Sequence, residues 1–141
     1  MQNSDDQAVM VTYLDSTYQE ALSLTKEARD YLADRASNRH PWLKPEDRLQ
    51  ICCESMRLTT RLTQVVAWLL LQRAVLNGEI TLDEARQPDN RISGRHVCEA
   101  ADELPDGADP RMVDLMGRSY QLYMRVARLD SQLDRAKKKA P

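Results

Sequence analysis

The feature that most constrains this chain is an uninterrupted helical run from Leu49 to Leu76, which contains no glycine or proline. Apolar and small residues recur in it at steps of three and four, the spacing of one helix face. They form two stripes: Leu49, Cys52, Met56, Thr59, Thr63, Val66 and Leu70; and Leu58, Leu62, Val65, Leu69 and Leu76. Because the stripes are separated around the axis, we expect the helix to bury more than one face. The residues expected to be scaffold are Met56, Leu62, Val66, Trp68 and Leu69.

A second long helix is predicted before this run, over about residues 8–36. Its stripe alternates steps of four and three: Met10, Leu14, Thr17, Ala21, Leu24, Ala28 and Tyr31. Ser4 and Gln7 have the spacing of a capping box at its start, and neighbouring acidic residues suit the positive end of a helix.

The central helix is expected over 46–77. Pro45 suits its first turn, and Asn77-Gly78 supplies a left-handed C-terminal cap. A third long helix is expected over 110–136, after Asp109-Pro110, a cap residue followed by a first-turn proline. No run of alternating β-branched residues predicts a strand.

The remaining connection is less regular. Thr81 and Glu84 can form a capping box for a short helix near 81–87, and 88–109 is rich in loop-forming residues. Three long helices with short or moderate connections favour an all-α, antiparallel three-helix bundle of up-down-up topology.

The length of 141 residues predicts a single helical-bundle domain over 1–141, with 1–7 and 137–141 flexible. In a lone three-helix bundle each helix shows water one wide polar face, but the central and third helices leave little polar face in places. We therefore expect a two-fold homodimer that buries parts of these two helices.

The 20 basic and 22 acidic residues give a net charge of only −2, which argues against a general nucleic-acid binder. The polar, acidic start does not predict a signal peptide. The most apolar stretch, Val65–Leu71, is too short to span a bilayer. Three cysteines, two of them adjacent, do not predict a disulfide framework, so a cytoplasmic location is expected.

No catalytic, cofactor-binding or metal site is predicted. His40 precedes a proline and His96 lies in the irregular connection, so neither suits a phosphotransfer helix. Cys52, Cys53 and Cys98 do not have the spacing of a zinc site, and we interpret them as buried, free, small apolar residues. No glycine-rich phosphate loop or nucleophile motif is present, which favours a protein that is not an enzyme.

The charged residues of the second and third helices are the best candidates for function. Arg57 and Arg61 lie one turn apart, a spacing that is mildly unfavourable in an isolated helix. Arginine is also common in protein interfaces. The candidate partner-interface residues are Glu54, Arg57, Arg61, Arg118, Arg125 and Arg128. The alternative interpretation is an ordinary face that is solvated or internally paired with Glu54, Asp114 and Asp130.

Several sequence segments resemble one known family. They are Glu54–Leu70 (ESMRLTTRLTQVVAWLL) with Gln72–Val75 and Gly78–Ile80, Tyr18–Ala21, Glu27–Leu32, Arg91–Gly94, Val97-Cys98, Gly117–Ser119, Leu122-Tyr123 and Arg125–Leu129. They are similar to the alphaproteobacterial RcdA family, the regulators of CtrA degradation. The resemblance covers roughly residues 13–133, and its central run is the most specific part.

The resemblance implies a dimeric three-helix bundle that acts as an adaptor in cell-cycle proteolysis. Such an adaptor helps deliver substrates, including CtrA-type response regulators, to the ClpXP protease. The implied partners are a CpdR-like response regulator and, for some substrates, a cyclic-di-GMP effector protein. The implied location is the cytoplasm, at a cell pole. The alternative function is a helical nucleic-acid-binding or transcription-associated regulator that uses Arg57, Arg61, Arg118 and Arg125.

Overall fold

The computed structural model describes residues 2–37 and 43–139, with side chains for residues 2–35 and 43–134. The described chain is helical: α1 (Gln2–Ser37), α2 (Pro45–Leu76), α3 (Leu82–Ala85), a 3-10 turn (Pro88–Asn90), α4 (Arg95–Cys98) and α5 (Pro110–Lys139). The all-helical class and the three long helices are confirmed. Within the described ranges, no helix combines the length and the apolar character needed to cross a membrane.

The predicted helix ends follow the local chemistry. Pro45 opens α2, and Gly78 has a φ of +74° just beyond its end, a conformation that glycine adopts without strain. The Thr81 hydroxyl accepts from the Glu84 amide, and the Glu84 carboxylate accepts from the Thr81 amide, which confirms the capping box of α3. At the start of α5 the Asp109 carboxylate accepts from the Arg111 amide at 2.9 Å.

The core lies between the three long helices. The α1 stripe from Leu14 to Tyr31 is buried, as are the second stripe of α2 as far as Leu69 and the apolar residues of α5. The buried members of α5 include Met112, Leu115, Met116, Leu122, Tyr123 and Val126. These contacts supply most of the stability, since burial of one large aliphatic side chain is worth about 1.5–3 kcal/mol.

The helix directions show that the expected up-down-up topology is wrong for the third long helix. α1 is antiparallel to both partners: Asp34 lies near Arg111 of α5, and Asp15 lies near Arg73 of α2. α2 and α5 instead run parallel, because Arg61 contacts Met116 while Trp68 contacts Asp130. The bundle is therefore up-down-down, and residues 77–109 return along it. A helix of 32 residues is about 48 Å long, a distance that this connection can cover.

α1 begins earlier than expected, at Gln2, so Ser4 lies inside the helix and the predicted capping box at its start is wrong. Residues 2–13 are exposed, and Leu14 is the first buried position. The extension has a simple physical reason: once a helix is nucleated, each further residue adds a hydrogen bond at little cost.

The expectation that both α2 stripes are buried is wrong for the first one within this chain. Leu49 and Met56 are 67% and 66% exposed, and Leu70 is also exposed. Met56 is therefore not a scaffold residue of the monomer. Cys52 and Cys53 are exposed as well, and only Cys98 is buried. We call the exposed apolar residues Leu49, Met56 and Leu70, with half-buried Val66, the outer stripe of α2.

Candidate functional site

The return connection is fixed to the bundle by polar side chains, and one of them, Arg61, was predicted to lie at a partner interface. We call its residues 88–104 the return segment. It passes along α2 and α5, and its anchors follow one another up the bundle. We call the end of the bundle at which α2 and α5 finish the lower end, and the end at which they begin the upper end. Arg91 binds α5 near the lower end, and Ser93 binds Gln64. Further up, the backbone of residues 98–102 binds Arg61, and Glu103 binds Gln50 near the upper end.

Arg61 is the central anchor and is 0% exposed. Its guanidinium donates to the carbonyls of Cys98 at 2.9 Å, Ala100 at 3.2 Å and Met116 at 3.2 Å. It also donates to Asp102 Oδ1 at 2.9 Å and to Ser119 Oγ at 3.3 Å; these add to a cation–π contact with Tyr120. A planar guanidinium suits this arrangement because it offers five fixed donors.

Glu54 and Arg57 support the same part of the return segment. Arg57 Nη1 donates to the carbonyl of Ala101 at 2.6 Å and lies 3.4 Å from the carboxylate of Glu54, whose side chain is 3% exposed. The predicted interface residues of α2 are thus directed towards their own chain. Arg61 and Glu54 have almost no surface that a partner could contact in this structure, and Arg57 is half-buried.

The arginines of α5 form an ion-pair ladder with α1. Arg111 lies 3.5 Å from Asp34, Arg118 lies 2.7 Å from Glu27, and Arg125 lies 2.8 Å from Glu20. Successive members are one heptad apart on each helix, in opposite directions, as expected for antiparallel helices in register. The hydrogen bonds that Arg118 donates to Glu27 and Asp114 raise the pKa of Arg118, and the bond that Arg125 donates to Glu20 raises the pKa of Arg125.

Arg128 is the one candidate of the six with neither burial nor an ion pair within the described part of the chain. It lies on α5 beyond Arg125, on an exposed position. The proposed role of Arg128 at a partner interface stays a prediction. For Arg118 and Arg125 a partner would have to compete with their intramolecular carboxylates.

The sequence analysis named Asp130 only as a possible internal partner of the helix arginines, whereas the structure makes it a second buried anchor. Its carboxylate accepts from Trp68 Nε1 at 2.8 Å and from Arg91 Nε at 2.9 Å, and it is 3% exposed. Arg91 also donates to Asp134 and to the carbonyl of Asp130, and its hydrogen bonds to Asp134 and Asp130 raise its pKa further. The sequence feature that could have revealed this anchor is an acidic residue placed among the apolar residues near the end of α5.

The Asp130 anchor yields a stability prediction. Asp130→Asn keeps one acceptor but removes the charge, so the charge-assisted bonds from Arg91 and Trp68 weaken. We expect a loss of about 1–2 kcal/mol in the free energy of unfolding, measured by urea titration. Asp134→Asn is the matched control, because Asp134 is exposed, and it should cost less than about 1 kcal/mol. Equal costs for the two variants would contradict a buried anchor.

The cysteines do not form a cluster that could bind metal. Among the described residues, no three histidine, cysteine, aspartate or glutamate side chains lie close enough together to hold an ion. Cys52 and Cys53 are exposed on α2, whereas Cys98, at the end of α4, is a buried residue of the return segment itself. Burial raises the pKa of the Cys98 thiol above its ordinary value, and the nearby charge of Arg61 opposes this effect only in part.

This difference predicts two classes of thiol. Because the thiolate is the reactive form, a raised pKa and a buried position both slow alkylation. At pH 8 we expect iodoacetamide to modify Cys52 and Cys53 within minutes and Cys98 only after unfolding in urea, as followed by intact-protein mass spectrometry. Native labelling of all three thiols at one rate would show that the return segment opens readily.

An open apolar surface lies between α1 and α2. Here Leu22, Ala28 and Leu32 face Leu62, Val66 and Leu70 around a groove of about 460 Å³. The threonine hydroxyls along it donate to carbonyls of their own helices, as Thr25 does to Ala21 and Thr63 to Thr59. We call this surface the α1/α2 groove. It adjoins the outer stripe of α2, with which it shares Val66 and Leu70.

The chain is similar to a protein family and to a solved structure. Residues 6–141 match a family described as "Protein of unknown function (DUF1465)". Among solved structures, the chain is similar to RcdA from Caulobacter crescentus CB15, with 36% sequence identity and a TM-score of 0.65. The match covers 85% of this chain and 89% of the RcdA chain. No curated protein matches the sequence at a significant level.

Proposed function

We propose that this chain, which belongs to the RcdA-like DUF1465 family, is an adaptor in regulated proteolysis that works by binding and not by catalysis. The observation that carries the proposal is the similarity to RcdA over most of both chains. An adaptor raises the effective concentration of a substrate near the protease, which requires surfaces for two partners but no chemistry of its own.

The finer proposal follows the family resemblance. The chain would deliver substrates such as CtrA-type response regulators to ClpXP, through a CpdR-like response regulator and, for some substrates, a cyclic-di-GMP effector protein. It would act in the cytoplasm, at a cell pole, without a cofactor. The nucleic-acid alternative is less well supported, because Arg61 is buried and Arg118 and Arg125 are ion-paired instead of forming a free basic patch.

We also propose that the chain forms a homodimer. The outer stripe of α2 and the α1/α2 groove share Val66 and Leu70, and exposed apolar patches of this kind mark interaction sites. A second copy placed across the two-fold axis would cover the stripe with an identical stripe.

The adaptor proposal is tested by retention and by substrate lifetime. Immobilised ClpX should retain the chain in the presence of a CpdR-like protein and lose it when that protein is omitted. Deletion of the gene should lengthen the half-lives of specific substrates at least severalfold. Unchanged half-lives across the proteome, measured after translation is stopped, would exclude the adaptor role.

A matched pair of variants tests the remaining arginine candidate. Arg128→Glu should weaken retention about tenfold if this exposed arginine contacts a partner, since a reversed charge at an interface is repulsive. Arg95→Glu is the control, because Arg95 is also an exposed arginine but lies on α4, outside the α1/α2 groove. Equal retention of both variants would remove Arg128 from the interface.

A further inference from the structure

A second cavity, separate from the α1/α2 groove, lies at the lower end of the bundle. It encloses about 320 Å³, within the size range of ligand-binding pockets. The long helices and α3 all contribute apolar walls, among them Leu14 from α1, Leu76 from α2, Leu82 from α3 and Leu133 from α5. No charged side chain among the described residues lines it.

Gln72 gives this cavity a polar feature that the fold itself does not use. The residue lines the cavity and is only 7% exposed, and its Nε2 has no hydrogen-bond partner among the residues that the structure describes. An unpaired buried amide is unfavourable, because it has lost its water without gaining an acceptor. The terminal torsion of glutamine is soft, so a rotation of the amide turns the donor towards an acceptor inside the cavity.

The groups that line the cavity indicate the kind of ligand that it can bind. An uncharged lining excludes a ligand whose buried part is ionic, since a buried charge needs a partner. A neutral acceptor such as a carbonyl would satisfy the unpaired Nε2 donor of Gln72. Exposed Met10 and Leu82 flank the mouth, and Tyr13 is exposed further along α1, so apolar contacts continue beyond the cavity. Methionine adapts well to different apolar partners.

We propose that this cavity binds an uncharged, apolar peptide segment of a partner protein, with one backbone carbonyl of the segment accepting from Gln72. The proposal deepens and rests on the adaptor function, since it gives the chemical class of segment that the adaptor recognises. Aliphatic side chains of the segment would fill the cavity, and the neighbouring residues would pack against Met10 and Leu82.

Trp68 provides a direct readout, because it forms part of the cavity wall. The only other tryptophan is Trp42, so the full chain with Trp42→Phe reports from Trp68 alone. This protein would be titrated with the end-blocked hexapeptide Ser-Leu-Leu-Ala-Leu-Ser and, as a control, with Ser-Glu-Glu-Ala-Glu-Ser. We expect a saturable change in Trp68 emission with the first peptide and no change with the second.

Two variants separate the roles of the amide and the cavity. Gln72→Met keeps the shape but removes the donor; it should weaken binding of the leucine peptide about tenfold and leave the melting temperature equal or higher. Val75→Phe should fill the cavity and abolish binding. Circular dichroism melts confirm that both variants fold.

The opposing outcomes are distinct. Absence of saturation, or equal affinity for Gln72→Met and its parent, would overturn the proposal. Tighter binding of 1-octanol than of the peptide, without dependence on Gln72, would assign the cavity to a lipid-like molecule instead. If Trp68 emission changed with protein concentration in the absence of any added ligand, the occupant of the cavity would be a second copy of this chain. If ClpX retained the protein but the peptide did not bind, this inference would be overturned and the adaptor role would stand. If the peptide bound but ClpX did not retain the protein, the adaptor role would be overturned and the peptide site would stand.

Discussion

Arg61→Met is expected to destabilise the protein by about 3–5 kcal/mol, the usual cost of removing one partner from a buried charged network. The methionine fills much of the same space, so the loss comes from the acceptors left behind. Three carbonyls, those of Cys98, Ala100 and Met116, would lose a donor in the interior, and Asp102 would lose its cation. Urea unfolding followed by circular dichroism measures the effect.

The control for this variant is Arg118→Met on α5. Arg118 is an exposed member of the ion-pair ladder, and exposed pairs contribute about 0–1 kcal/mol. Arg61→Lys should fall between the two, because a lysine keeps the charge but cannot reach all five acceptors. If Arg61→Met cost no more than Arg118→Met, the anchor role of Arg61 would be refuted.

Weaker anchoring should also expose the return segment. In Arg61→Met the thiol of Cys98, whose own carbonyl is one of the acceptors of Arg61, becomes accessible whenever residues 98–102 detach. Native alkylation of Cys98 that is faster than the measured free energy of unfolding of this variant accounts for would connect the stability loss to opening of that segment and not to global unfolding.

The helices could be predicted from the sequence because their signals are local. Periodicity, the Pro45 start, the Gly78 end and the Thr81–Glu84 box depend on residues within a few positions of each other. The direction of α5 could not be predicted in this way. It depends on whether residues 77–109 turn back at once or return along the bundle, and the anchors that decide this come from distant parts of the chain.

The roles of the arginines show the same limit. The unfavourable spacing of Arg57 and Arg61 indicated correctly that other groups must compensate for the two like charges. For Arg57 one compensating group, Glu54, lies three residues away on α2 and follows from helix spacing. The others are Asp102 and the carbonyls of Cys98, Ala100, Ala101 and Met116, which no spacing rule within α2 reveals. The α1–α5 ladder is different. Its heptad spacing on both helices is visible in the sequence once an antiparallel pairing of these helices is assumed.

The outer stripe of α2 marks a third kind of limit. A period of three to four residues indicates which positions share a face, but it does not indicate what covers that face. For Leu58 and Leu62 the cover is α1 and α5. For Leu49, Met56 and Leu70 the same chain supplies no complete cover. The proposed homodimer explains why an apolar face of this length is kept.

Leu70→Glu tests that explanation with a large expected effect. The new carboxylate would stand at the junction of the outer stripe and the α1/α2 groove. Burial of an unpaired charge in an apolar interface is costly, so we expect the dimer dissociation constant to rise at least about hundredfold, or about 2.7 kcal/mol. The monomer should lose less than about 1 kcal/mol, because Leu70 is exposed in the single chain.

Light scattering after size-exclusion chromatography distinguishes the species. We expect the parent protein to be a dimer at about 10 µM, a concentration typical of the method, and Leu70→Glu to be a monomer with unchanged helix content. Val9→Glu is the matched control, because Val9 is an exposed apolar residue of α1 outside the groove, and this variant should remain dimeric. A monomeric parent protein at micromolar concentration would exclude the homodimer. A dimer that survives Leu70→Glu would place the contact on another face, of which the exposed Val113 and Tyr120 of α5 are the next to test.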